Sequence, residues 1–217
     1  MPAPRRPTPD SALHELEYVV VDLETTGHSH GRADRVTDVA AVVIRDGRPQ
    51  EPFTTLVNPG RRIPPFITRL TGITNAMVAR APSFAHVAHD VAGALANRVF
   101  VAHNVAFDWA FLSAEFARAD WDRPGGERLC TVRLARRLLP ELRRRNLDAV
   151  SAYYGVSITD RHRALGDAVA TAEVFVRMLD ELGRRGVHTW GELHTLLAGR
   201  TRRRSALPRS VTDFKIA

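Results

Sequence analysis

The chain has 217 residues, 44% of them apolar, with one cysteine and a formal net charge of +7. Its length suits one domain of ordinary to large size. The lone Cys130 excludes an internal disulfide and a cysteine-built zinc site, and no apolar run is long enough for a transmembrane helix. Lys215 is the only lysine, so the positive charge is almost all arginine, which points to a polyanionic partner without separating DNA from RNA. Met1 to Asp10 is rich in Pro and Arg but lacks the apolar stretch of a secretory signal, so the chain is expected in the cytoplasm and off the membrane.

In chain order, residues 1–14 read as a disordered leader. Tyr18 to Val21 suits a buried strand and leads into Asp22-Leu23-Glu24-Thr25-Thr26-Gly27. A second strand is predicted over Val36 to Ile44, then a hairpin turn at Asp46-Gly47 and a return strand over Pro52 to Val57. These give an antiparallel three-strand meander. Phe66 to Thr74 reads as a short helix and a turn, with Thr74 capping a helix over Asn75 to Ala79. Ser83 is a candidate cap for a helix to about Asn97 that buries Phe84, Val87, Val91 and Leu95.

Val99 to Ala102 has the continuous apolar character of a buried parallel strand. A helix over Phe107 to Arg118 follows, then a strand over Leu129 to Val132 and a basic amphipathic helix over Arg133 to Leu139. Asn146 and Gly155 bracket the next helix. Ala164 to Leu182 has the longest helical pattern, and Thr189 with Glu192 opens a short helix to Leu197. Strands alternating with helices after an antiparallel start predict an α/β fold with a mixed sheet flanked by helices. The expected organisation is a leader, a domain over 15–182, and a segment over 183–217 holding the short helix and an Arg-rich flexible tail. Residues 199–217 alone carry +5, so the charge is expected to concentrate there rather than over the core.

Three clusters carry chemistry. Asp22 and Glu24 lie two apart on a strand and so share a face, while Leu23 packs the other way. Two like charges at a buried strand end call for a cation between them, and a hard divalent ion with oxygen ligands meets that need. Asp108 follows the buried strand in His103-Asn104-Val105-Ala106-Phe107-Asp108, in the first turn of a helix. Asp167 lies in a helix whose other inward positions are apolar. Five residues turn a helix by about 140°, so His162 is placed in the loop before that helix, reaching the same cleft. His28 and His30 lie in a polar loop without a third ligand and receive no role.

Taken together, D-x-E-T-T-G, H-N-x-x-F-D and H-x-A-x-x-D resemble the motifs of the DEDDh, or DnaQ-like, family of 3′–5′ exonucleases, in the expected order. The likeness spans roughly Glu17 to Leu182. Ile63-Pro64, Leu70 to Thr74 and Ala81-Pro82 resemble the branch that includes the proofreading epsilon subunit of bacterial replicative DNA polymerase. The resemblance implies a ribonuclease H-like fold. It implies that Asp22, Glu24, Asp108 and Asp167 hold two divalent ions, Mg²⁺ or Mn²⁺, with Asp22 bridging both. It makes His162 the proton acceptor, suited to it as an imidazole. It places the backbone groups of Thr25 and Thr26, with Leu70, Thr71, His103, Asn104 and Phe107, around the 3′-terminal nucleotide, where Leu70 and Phe107 could stack on or wedge against bases.

The reaction so implied is release of nucleoside 5′-monophosphates from the 3′ ends of single-stranded or frayed DNA, in proofreading or repair, with a DNA polymerase as a candidate partner. Two other readings share the motifs: trimming of RNA 3′ ends, since the 2′-hydroxyl is the discriminating group, and a nucleic-acid-binding or polymerase-associated module anchored by the Arg-rich tail. Oligomeric state is not written in the sequence.

Overall fold

A computed structural model of the chain describes residues 6–29, 34–122 and 125–199. At its centre is a mixed sheet built of β1 (Tyr18–Thr25), β2 (Val36–Arg45), β3 (Arg48–Pro49), β4 (Phe53–Leu56), β5 (Val99–Ala102) and β6 (Arg128–Cys130). The strand order is β3-β2-β1-β5-β6, and β4 also pairs with β2. β1 runs antiparallel to β2 and parallel to β5, which is parallel to β6. The expected meander is present. Its hairpin closes at Asp46 (φ 51°) and Gly47 (φ 70°), the left-handed pair that a two-residue turn matching strand twist requires.

The helices are α1 (Pro65–Thr71), α2 (Asn75–Ala79), α3 (Phe84–Leu95), α4 (Val105–Arg118), α5 (Thr131–Leu138), α6 (Leu147–Tyr154), α7 (Ala164–Arg184) and α8 (Trp190–Ala198). Thr74, Asn146 and Thr189 cap as the sequence predicts, each accepting a backbone N–H three residues on. Ser83 does not; its hydroxyl lies 2.7 Å from His86 Nδ1 instead. α5 starts at Thr131, so the predicted strand over Leu129 to Val132 ends two residues early. The Thr131 hydroxyl, at the first position of α5, lies 2.8 Å from His103 Nδ1.

The two faces of the sheet bury separate cores, and the period of two decides which residue joins which. Tyr18 and Val20 of β1, with Ala40, Val42 and Ile44 of β2, pack under α5, α6, α7 and α8. Val19, Val21 and Leu23, with Val39 and Ala41, pack under α3 and α4. Asp22 and Glu24 continue the Tyr18–Val20 series. They therefore face α7 at the point where the strand leaves the core.

Part of the expected leader is built into this body. Leu13 is buried, Ala12 bridges to Thr189, and Leu13 N donates to His188 O at 2.8 Å. Trp190 N and Gly191 N donate to Ser11 O and Pro9 O. Those backbone groups have partners only because α8 lies against them, and Trp190 and Leu193 of α8 sit in the α7-side core. The packed unit thus extends beyond 15–182 at both ends. Most of the predicted tail, 200–217, lies outside the described residues, as does His30. Among the described residues, no helix is long and apolar enough to cross a membrane.

Candidate active site

The site forms where β1 and β5 end and where α4 and α7 begin. β1 carries Asp22 and Glu24 onto the α7 face, each half-buried, with Leu23 buried behind them. Glu24 pairs with Asp38 of β2 across the sheet, and the register slips by a bulge just after Glu24, between it and Thr25. Asp108 is buried in the first turn of α4, and Asp167 in the first turn of α7. His162 stands in the turn before α7 at φ 65°. A left-handed histidine is uncommon and is retained where surrounding structure fixes it.

The ligand atoms of Glu24, His162 and Asp167 all lie within 4.8 Å of one another. His162 thus reaches the same cleft as the acids from the loop, as its offset from Asp167 implies. Asp22 is held far up from the usual carboxylate range, by burial first and then by the charges of Asp108, Glu24 and Asp167. Burial, then Asp167 and Asp38, push Glu24 up to about 8. Burial likewise raises Asp108 to about 8, against the opposing backbone dipoles of Asp108 and Leu23. Four carboxyl groups are thus close enough to act on one another in a partly dry place.

Several neighbours escaped sequence reasoning. Arg161 donates through Nη1 to Asp167 Oδ2 and through Nε to Asp148 Oδ1 (2.8 Å), and the His162 backbone N–H also donates to Asp167 Oδ2, at 3.3 Å. Arg163, which precedes α7, donates through Nε to the buried Asp38 at 2.9 Å. The signal was available: His162 sits in Arg-His-Arg beside an acidic cluster, and Asp38 is the one acid of a mostly apolar strand. Farther back, Arg35 grips the buried Glu115 of α4 through Nε (2.7 Å) and Nη2 (2.8 Å). Arg35 also exchanges bonds with Thr26: Thr26 N donates to Arg35 O at 2.8 Å, and Arg35 N to Thr26 Oγ1 at 3.1 Å.

The remaining expected contact residues divide into two groups. Leu70 is 48% exposed on α1, and Asn104 is exposed in a left-handed conformation whose side chain caps nothing. Phe107 is half-buried against Phe111, its ring 6.4 Å from that of His28. These three are available to a ligand. Thr25, Thr26, Thr71 and His103 are already engaged. Thr25 and Thr26 are buried, their hydroxyls donating to Gly27 O and Asp34. Thr71 donates to Ile67 O and accepts from Ile73 N. His103 uses both ring nitrogens, on Thr131 Oγ1 and on Arg145 O (3.0 Å), and burial lowers its pKa to about 4. It fastens the loop after α5 to the end of β5.

The donor set suits a hard divalent cation. It is carboxylate oxygen plus one imidazole, and Asp167 Oδ1 is buried with no hydrogen-bond partner among the described residues. Arg161 and the His162 N–H hold the other oxygen, the arrangement by which outer partners aim a ligating carboxylate.

Comparison with known proteins agrees with this geometry. The RNase_T family, described as exonuclease, matches residues 19–175. A DNA polymerase III subunit epsilon-like protein of Rhodobacter capsulatus is 41% identical over 192 residues, covering 86% of this chain and 27% of that protein. The 3′-5′ exonuclease DinG of Bacillus subtilis is 36% identical over 184 residues, covering 85% and 20%. The chain therefore spans about a fifth to a quarter of these curated relatives. Among solved structures, Exonuclease X in complex with 5′ overhanging duplex DNA superimposes with a TM-score of 0.62 at 30% identity, covering 76% of this chain and 93% of that one. The mixed sheet is thus the ribonuclease H-like one, and with the profile matched over most of its length the chain belongs to the RNase T family of exonucleases, in its DnaQ-like branch.

Proposed function

We propose that this domain hydrolyses the terminal phosphodiester at the 3′ end of DNA, single-stranded or frayed, and releases a nucleoside 5′-monophosphate. The observation that carries the reading is the convergence of Glu24, His162 and Asp167 within 4.8 Å, beside Asp22 and Asp108. Asp22, Glu24, Asp108 and Asp167 would hold two divalent cations, Mg²⁺ or Mn²⁺. When bound, these lower the pKa of water and offset charge on the leaving oxygen. His162 takes a proton from the attacking water, whose oxygen bonds to phosphorus as the bond to the penultimate 3′ oxygen breaks. That oxygen leaves as a hydroxyl, taking its proton from solvent. Exposed Leu70 and Asn104 and half-buried Phe107 are suited to the terminal nucleotide, with Leu70 and Phe107 as apolar contacts for its base.

The choice of DNA rests on the relatives: DinG is named a 3′-5′ exonuclease, and Exonuclease X is seen with duplex DNA. An epsilon-like relative supports a proofreading or repair role, with a DNA polymerase as partner. The test is a 5′-labelled single-stranded DNA oligomer with Mn²⁺ or Mg²⁺, then with chelator. A metal-dependent ladder shortening from the 3′ end, lost in Asp22→Ala and Asp167→Ala while both variants stay folded, is expected. Full activity in either variant overturns the assignment, and shortening of the matching RNA alone transfers it to RNA.

A further inference from the structure

Charge on this chain is distributed differently from what the tail alone implies. Residues 133–145 hold six arginines and one acid, so this stretch carries +5, as much as the tail, and everything outside the two segments sums to −3. Several arginines beside the sheet meet carboxylates: Arg35 with Glu115, Arg45 and Arg98 with Glu17, Arg163 with Asp38. Four arginines of the 133–145 stretch do not. Arg133, Arg136, Arg143 and Arg144 are all exposed and make no ion pair or side-chain hydrogen bond among the described residues.

The backbone bearing these side chains is fixed. Arg145 donates through Nη2 to Leu139 O (3.0 Å) and Pro140 O (3.1 Å), closing the loop on itself. Its carbonyl accepts from His103 at the end of β5, and Asn146 caps α6 immediately after. Three residues beyond Arg145, Asp148 holds Arg161, which in turn holds Asp167. The loop is therefore pinned to the rim of the site on both sides. Arg143 is two residues from Arg145, at most about 7 Å of extended chain. Arg133 lies in the first turn of α5, next to the Thr131 that His103 engages.

We infer that the exposed arginines of α5 and of the loop after it form a phosphate-binding edge for the nucleic-acid strand upstream of the terminal nucleotide, with Arg143 and Arg144 nearest the site. Guanidinium forks without an intramolecular acid are matched to phosphate oxygens. The edge is separate from the acids that carry the reaction. It supplies affinity that grows with strand length, and it does not read bases. The inference rests on the exonuclease reading, deepening it to where the strand lies.

The test compares the 217-residue chain with Arg143→Ala/Arg144→Ala, in chelator, by fluorescence anisotropy of an oligothymidylate of about 16 nucleotides and of a dinucleotide across a salt series. Loss of two single-strand contacts at about 0.7 each reduces the slope of log affinity against log salt by about 1.4, and weakens the long oligomer roughly tenfold at about 0.15 M salt. The dinucleotide is unaffected, and Arg143→Lys/Arg144→Lys keeps most of the slope. Hydrolysis of the p-nitrophenyl ester of thymidine 5′-monophosphate with Mn²⁺ stays at the wild-type rate. An unchanged slope with intact ester hydrolysis overturns the phosphate edge alone. Equal weakening of the dinucleotide overturns it too, by placing these residues at the terminal nucleotide. Absence of ester hydrolysis in the wild-type protein counts against the exonuclease reading, while the slope still decides the edge.

Discussion

Replacing Glu24 by Gln is expected to stabilise the protein in chelator while removing its catalysis. Burial, with Asp167 and Asp38 alongside, raises the Glu24 carboxyl from 4.5 to about 8. In the unfolded chain the same group ionises near its ordinary value. Between the two values the folded protein binds more protons, so stability is present at low pH and is lost as pH rises toward 8. At pH 7 the full difference corresponds to about 3 kcal/mol. Relaxation and water entry reduce this, so about 1–2 kcal/mol is expected. For a chain of this size each kcal/mol moves Tm by about 2–4 °C. Gln keeps the shape of the side chain and takes no charge, so Glu24→Gln in EDTA should melt roughly 2–8 °C above the wild type at pH 7.

The gain should shrink to under about 1 kcal/mol at pH 5, which lies only just above the unfolded-state value of 4.5, so that little of the difference in proton binding has built up. Saturating Mn²⁺ should then raise the wild-type Tm more than that of the variant, because a ligand bound only by the native state stabilises in proportion to its affinity. Melts followed by far-UV circular dichroism at the two pH values check both halves. A variant that melts lower than the wild type at pH 7, or a gain of equal size at both pH values, would refute the account of Glu24 as a carboxyl held up by its neighbours.

Two further perturbations probe what supports the site. Arg161→Ala removes the guanidinium that Asp148 anchors against Asp167, and should lower stability in chelator by about 2–3 kcal/mol. Its Tm gain on adding Mn²⁺ should be larger than that of the wild type, and a smaller gain would contradict the view of Arg161 as a counter-charge for the acids. Glu115→Gln breaks the paired hydrogen bonds from Arg35 at a carboxylate only 1% exposed. A loss of about 3–5 kcal/mol is expected, read as a lower midpoint in urea, and a loss below about 1 kcal/mol would mean that Arg35 finds another acceptor.

What could be read in advance was what local chemistry decides. The Asp46-Gly47 turn, the Thr74, Asn146 and Thr189 caps and the Gly155 stop each depend on a few neighbouring residues. The period of two placed Asp22 and Glu24 on one face, and the offset between His162 and Asp167 put the histidine in a loop. Relations between distant segments were not legible. Arg163 finds Asp38 across 125 positions, and Pro9 to Leu13 acquire partners only because α8 returns to them. His103 reads as a residue of the site, and nothing in its neighbourhood announces that Arg145 O and Thr131 will take both nitrogens. In each case the residue type was visible and its partner was set by the fold.

The same distinction explains how charge is used around the site. Arg161 and Arg163 lie among the acids, and both are engaged by carboxylates, Asp167 and Asp148 for one and Asp38 for the other. A phosphodiester coming straight at the acids would meet carboxyl groups that already oppose one another's ionisation. Attraction then falls to the rim, where Arg133, Arg136, Arg143 and Arg144 meet no carboxylate among the described residues and the loop after α5 is fastened by His103 and Arg145. Under the proposed function, rim charge acts over about 8 Å at physiological salt, enough to draw in a strand, whereas the carboxylates would act on a cation and a water in direct contact. On that reading, encounter and reaction fall to residues of opposite sign, the arginines on α5 and the loop after it and the acids on β1 and in the first turns of α4 and α7.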